Sequence, residues 1–102
     1  MKNANNNYER LTAMVISLYA TLGDDKGEIE LQWDADESAE CYIIQMKPAG
    51  NKKAVWRHID IVNSSKYTVS RLTPARIYEF RIAAVGKRGQ GVWSKPILKK
   101  AK

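Results

Sequence analysis

His58 and Cys41 are the chain's single histidine and single cysteine, and they are its obvious candidates for base, nucleophile or metal ligand. Such chemistry needs partners at fixed spacing. No Cys–His, Ser–His–Asp or metal-ligand arrangement accompanies them. Four carboxylates gather at Asp34, Asp36, Glu37 and Glu40. Paired carboxylates do acid–base work when their surroundings push their pKa values apart. These stand in a polar run with no apolar wall, and their spacing is not that of an EF-hand loop. The expectation is a wet loop. Gly86-Lys-Arg-Gly-Gln-Gly91 has the glycines and lysine of a phosphate loop. It sits between two strand-like runs, so no helix N-terminus is there to cradle an anion. The sequence therefore implies no catalytic residue, no cofactor and no metal.

Whatever the chain does, its elements must be placed first. At 102 residues, 44% hydrophobic and 27% charged, it has the length and composition of one globular domain. One cysteine excludes an intrachain disulfide, so burial alone must hold the fold. Residues 1–50 carry four basic side chains against nine acidic ones, and residues 51–102 carry thirteen against two. The imbalance predicts one acidic and one basic side. Residues 11–20 are apolar behind Lys2 and Arg10. Glu9 spoils a basic leader and Leu18 stands where a cleavage site wants a small residue, so a signal peptide is not expected. No run is long enough to span a bilayer.

Residues 1–7 are Asn-rich, and residues 1–13 read as a polar tail, 14–98 as the domain and 99–102 as a basic tail. Within the domain, short alternating runs are separated by turn chemistry, which predicts an all-β sandwich of seven antiparallel strands in two sheets. Residues 8–22 are ambiguous. Tyr8, Leu11, Val15, Leu18 and Leu22 recur at helical spacing. Val15, Ile16, Tyr19 and Thr21 favour a strand, and Gly23-Asp-Asp-Lys-Gly27 is a hairpin turn. Strand over 14–22 is chosen. Further strands are expected over 28–34, 41–47, 55–62, 66–70, 76–85 and 92–98, with 86–91 as a hairpin loop.

Several of these segments resemble the fibronectin type III family. Gly27-Glu-Ile-Glu-Leu-Gln-Trp33 is similar to its second strand, and Tyr42-Ile-Ile to its third. Tyr67-Thr-Val-Ser-Arg-Leu72-Thr-Pro74, followed by Tyr78-Glu-Phe-Arg-Ile-Ala-Ala-Val85, resembles its fifth and sixth. Gly89-Gln-Gly91-Val-Trp-Ser94-Lys-Pro96 resembles the last loop and strand. The resemblance implies a tyrosine corner at Tyr78 and a core role for Trp33. It also implies a non-catalytic binding, adhesion or structural module and an extracellular or cell-surface setting.

Pleating puts Ile43, Gln45, Lys47, Glu79, Arg81, Ala83 and Val85 outward on one sheet. Ile43, Ala83 and Val85 then form an apolar strip rimmed by Lys47, Arg81, Lys87 and Arg88, the make-up of a recognition face. Scattered apolar residues on a sheet are also ordinary. Trp93 is expected to stack on Arg81 or Arg76, or to anchor a partner. The expected partner is a protein or an anionic glycan, met through Ile43, Lys47, Arg81, Val85, Lys87 and Arg88. Without a nucleic-acid motif, nucleic acid is not expected. The alternative is a structural spacer or self-assembling subunit within a larger cell-surface or phage assembly. Its acidic strand (Glu28, Glu30) would meet the basic half of another copy in weak self-association.

Overall fold

The computed structural model describes residues 17–102. The tail assigned to 1–13 and the start of the first strand at Met14 lie outside the described residues. The strands are β1 (Tyr19–Leu22), β2 (Ile29–Gln32), β3 (Cys41–Pro48), β4 (Arg57–Val62), β5 (Lys66–Val69), β6 (Ile77–Gly86), β7 (Gly89–Gln90) and β8 (Ile97–Lys100). They form a three-stranded sheet, β1-β2-β5, and a five-stranded sheet in which β4, β3 and β6 are neighbours and both β7 and β8 pair with β6. All pairings are antiparallel. The two-sheet all-β architecture is the expected one.

Period-two alternation decides which faces meet. Ile29 and Leu31 on β2, Tyr42, Ile44 and Met46 on β3, and Tyr78, Phe80, Ile82 and Ala84 on β6 are buried together with Trp33 and Val69. Trp33 meets Tyr42 edge to face at 5.3 Å between ring centroids. At the corner between the sheets, the Tyr78 hydroxyl accepts the Thr73 N–H at 3.0 Å. It thereby satisfies a backbone donor where the chain crosses from one sheet to the other.

Several elements differ from the sequence reading: β1 begins at Tyr19, β2 spans Ile29–Gln32 where 28–34 was expected, and β4 begins at Arg57, leaving Val55 and Trp56 in the connection before it. The last strand is in two pieces, because Pro96 has no N–H to donate and only Gly91 and Ser94 of the intervening residues bond to β6. The hairpin loop shrinks to Lys87 and Arg88, since β6 runs to Gly86 and β7 starts at Gly89. β8 also continues past Leu98 through Lys100, and Ala101 is buried in the core. The Ala75 N–H donates to the Ala101 carbonyl, the Ala101 N–H to that of Arg76, and the Gly27 N–H to that of Lys102. The basic end of the chain is thus stitched into the sandwich.

Polar contacts join the acidic first half of the chain to the basic second half. The Lys102 ammonium donates to the carbonyls of Gly23 and Asp24 in the acidic first turn. Lys47 approaches Glu79 at 3.9 Å.

Candidate functional site

The register sets the outer face of the five-stranded sheet row by row. Ile61, Ile43 and Ala83 lie side by side across β4, β3 and β6. Next come His58, Gln45 and Arg81, then Lys47, Glu79 and Leu98, and last Ile77 beside Lys100. Cys41 and Val85 pair at the opposite end, next to the Lys87–Arg88 turn.

The centre of this face is a stack. The Arg81 guanidinium lies 4.4 Å from the Trp56 ring and 4.2 Å from the Trp93 ring. Lys47 sits 4.8 Å from the same Trp56 ring. Arg81 Nε and Nη2 both donate to Gln45 Oε1, at 2.8 and 2.6 Å. The indoles come from the connection before β4 and the segment between β7 and β8, so one guanidinium ties two irregular segments onto the sheet. Burial pushes the Arg81 guanidinium below its ordinary pKa, because two indoles replace water and Gln45 brings no compensating charge.

Of the residues expected to meet a partner, the structure places all six on this face or at its end, in different situations. Ile43 and Val85 are half-buried, and Lys87 and Arg88 are exposed in the turn. Lys47 and Arg81 are held in the stack. Ala83, expected in the apolar strip, is fully buried although its parity is outward, so it offers nothing to a partner. Of the two arginines considered for Trp93, Arg81 is the one it stacks on. Gln45 was expected on this face; Trp56, Ile61, Ile77 and Leu98 were not assigned to it from sequence. Ile61 is 55% exposed, Ile77 44% and Leu98 62%. Alternation along β4 is the signal that would have put Ile61 beside Ile43. Nothing local announces Trp56, whose contact with Arg81 is purely tertiary.

Arg81→Ala is expected to cost about 1–4 kcal/mol, from two cation–π contacts of roughly 0.5–2 kcal/mol each. Urea unfolding measures the loss. A red shift in tryptophan emission should accompany it, because Trp56 and Trp93 gain water. An unchanged midpoint would mean that the stack holds nothing.

The edge of this sheet is closed differently. Asp60 Oδ1 accepts the Ile61 N–H of its own strand at 2.7 Å, and Oδ2 accepts the Tyr67 hydroxyl at 3.0 Å. This joins β4 to β5 across the sandwich. Burial, and then the bond to Asp60 and its charge, push the Tyr67 phenol above its ordinary pKa. A register irregularity at Ile44 and Gln45 further distorts the β3–β4 pairing. An edge so bonded and bulged is poorly suited to accept a foreign strand.

Elsewhere the motifs resolve as structure. Asp36 Oδ1 accepts from the Ser38 N–H and hydroxyl, and the Asp36 N–H donates to the Tyr42 hydroxyl. The acidic run is thus a folded loop. Among the described residues, no three His, Cys, Asp or Glu side chains gather as metal ligands do. The glycine segment simply joins β6 to β7.

The family model for the fibronectin type III domain matches residues 19–100. The chain belongs to the fibronectin type III family. Its sequence is 34% identical over 71 residues to receptor-type tyrosine-protein phosphatase F of Danio rerio, a stretch covering 68% of this chain and 4% of that protein. The chain thus spans a small fraction of that relative's length. Among solved structures, the crystal structure of FN3tt superposes with a TM-score of 0.77 at 16% identity, over 89% of this chain and 95% of that one. The FN5 domain of Drosophila Lar gives 0.72 at 22% identity, over 89% and 97%. At these identities the structural matches establish the fold.

Proposed function

We propose that this fibronectin type III domain is a non-catalytic recognition module, and that it meets a protein or anionic glycan through the outer face of the five-stranded sheet. The observation that carries this is the make-up of that face. Ile61, Ile77 and Leu98 stand exposed around a cationic centre of Lys47 and Arg81, with Lys87 and Arg88 at the end. The other outer face has Thr21, Glu30 and Thr68 in one row and Tyr19, Gln32 and Lys66 in the next, a largely polar surface. Exposed apolar side chains gathered around aromatic and arginine side chains are the make-up of many recognition faces. The closed β4 edge favours contact with the face over strand addition. The receptor-type relative supports a cell-surface or extracellular setting.

A photo-crosslinking residue at Ile61 tests this, with one at Thr68 on the opposite face as control. In cells of the source organism, Ile61 is expected to crosslink to a discrete partner and Thr68 is not. Crosslinks from Thr68 alone, or from neither position, would remove the proposal.

A spacer role has one observation behind it. The chain enters the sandwich beside Gln32 at one end and leaves beside Gly27 at the other, as a link in an array would. An unaltered array length and partner set after loss of the recognition face would favour that reading.

A further inference from the structure

We infer that the outer face of the five-stranded sheet takes an extended acidic protein segment with an apolar residue near each end. This rests on the recognition face proposed above and specifies what it recognises.

Arg81 carries the first part of the argument. Its charge is half-buried between two indoles, and its hydrogen-bond partner is the neutral Gln45 amide. The one carboxylate in the rows of this face, Glu79, stands by Lys47. Arg81 is therefore a partly desolvated cation with no anion bonded to it among the described residues, and its Nη1 group is unspent. A carboxylate reaching Nη1 would supply both the missing charge and a charge-assisted hydrogen bond.

The apolar residues carry the second part. Ile43 and Ile61 lie to one side of Arg81, and Ile77 and Leu98 to the other. Along β6, Ala83 in the first row and Ile77 in the last are six residues apart, about 20 Å at strand rise. An extended segment of about seven residues covers that distance, with alternate side chains facing the sheet. The facing positions then read apolar, acidic over Arg81, polar beside the Lys47–Glu79 pair, and apolar, and a glutamate at both middle positions serves either direction of the segment.

Other occupants fit less well. A sulfated glycan has no aliphatic side chains for the two apolar rows, and each indole already has Arg81 on its ring. A second copy docking the same face would set Arg81 and Lys47 against their own images in a chain of net charge +6.

The test is an amide-shift titration of the full chain, labelled with nitrogen-15, using the peptide Leu-Ser-Glu-Ser-Glu-Ser-Leu. Shifts are expected at Ile43, Ile61, Ile77 and Arg81. They should vanish when lysine replaces glutamate in the peptide. The double variant Ile61→Ser, Leu98→Ser should bind on the order of tenfold more weakly. Both side chains are exposed, so that variant keeps its fold. Equal shifts from the lysine peptide, shifts confined to other surfaces, or none at millimolar peptide would overturn the inference. If a heparin oligosaccharide shifts these signals and the acidic peptide does not, the partner class is wrong while the recognition face stands. A silent titration together with no crosslink from Ile61 would remove both.

Discussion

Trp33→Ala should lower the unfolding free energy by about 3–5 kcal/mol, the cost of removing a large buried aromatic. Trp33 is 4% exposed and lies in the core cluster with Ile29, Leu31, Tyr42 and Phe80. β-Sheet backbones on both sides limit how far the neighbours can close the cavity. The loss also breaks the edge-to-face contact with Tyr42, whose hydroxyl accepts the Asp36 N–H at 2.7 Å. The acidic loop should therefore loosen along with the core. In thermal unfolding of a domain this size, each kcal/mol moves the midpoint by roughly 4–8 °C. A fall of about 12 °C or more is expected. Trp33→Phe should lose less than half as much. It keeps a ring against Tyr42 and removes an indole N–H that has no hydrogen-bond partner among the described residues. Equal losses for the two variants would mean that the ring contact contributes nothing.

Gly27→Ala should cost roughly 2–4 kcal/mol, combining left-handed backbone strain with overpacking. Gly27 has φ +76°, and a Cβ there would lie 2.5 Å from the Leu72 carbonyl oxygen. That oxygen belongs to the backbone and cannot swing aside. Gly27 also donates to the Lys102 carbonyl at 2.7 Å and accepts the Leu72 N–H at 3.0 Å. One residue thus joins the first turn, the corner before β6 and the end of the chain. Gly50 is the control. Its φ is +81°, but nothing lies within 4 Å of its Cβ position. Gly50→Ala should pay the backbone strain alone, about 1 kcal/mol. Denaturant midpoints for the pair separate strain from collision. If the two variants are equally destabilised, the Leu72 carbonyl has moved away and the three-way join is not rigid.

The core was legible in the sequence because each strand pairs one inward face with one outward face, and alternation shows even when partners are unknown. Tyr78 and Trp33 stood out through the resemblance to the fibronectin type III family, and both hold the places it implied. The face itself was half legible. Ile43, Lys47, Arg81 and Val85 followed from pleating along β3 and β6. Trp56 did not: it was expected inside a strand over 55–62, whereas it precedes β4 and meets Arg81, a partner that no local pattern connects to it. Ala83 was misplaced because parity gives direction and not exposure.

The amino-acid order by itself determined an all-β sandwich without an intrachain disulfide. Those properties depend on residue type and short-range spacing, which a chain carries whether or not it is folded. Tertiary structure alone decided that the last strand breaks before Pro96 and that Lys99 to Lys102 close the sandwich. It also decided that Arg81 ends between two tryptophans. Each of these depends on which segments become neighbours across a sheet, and antiparallel pairing brings together residues that no local pattern connects.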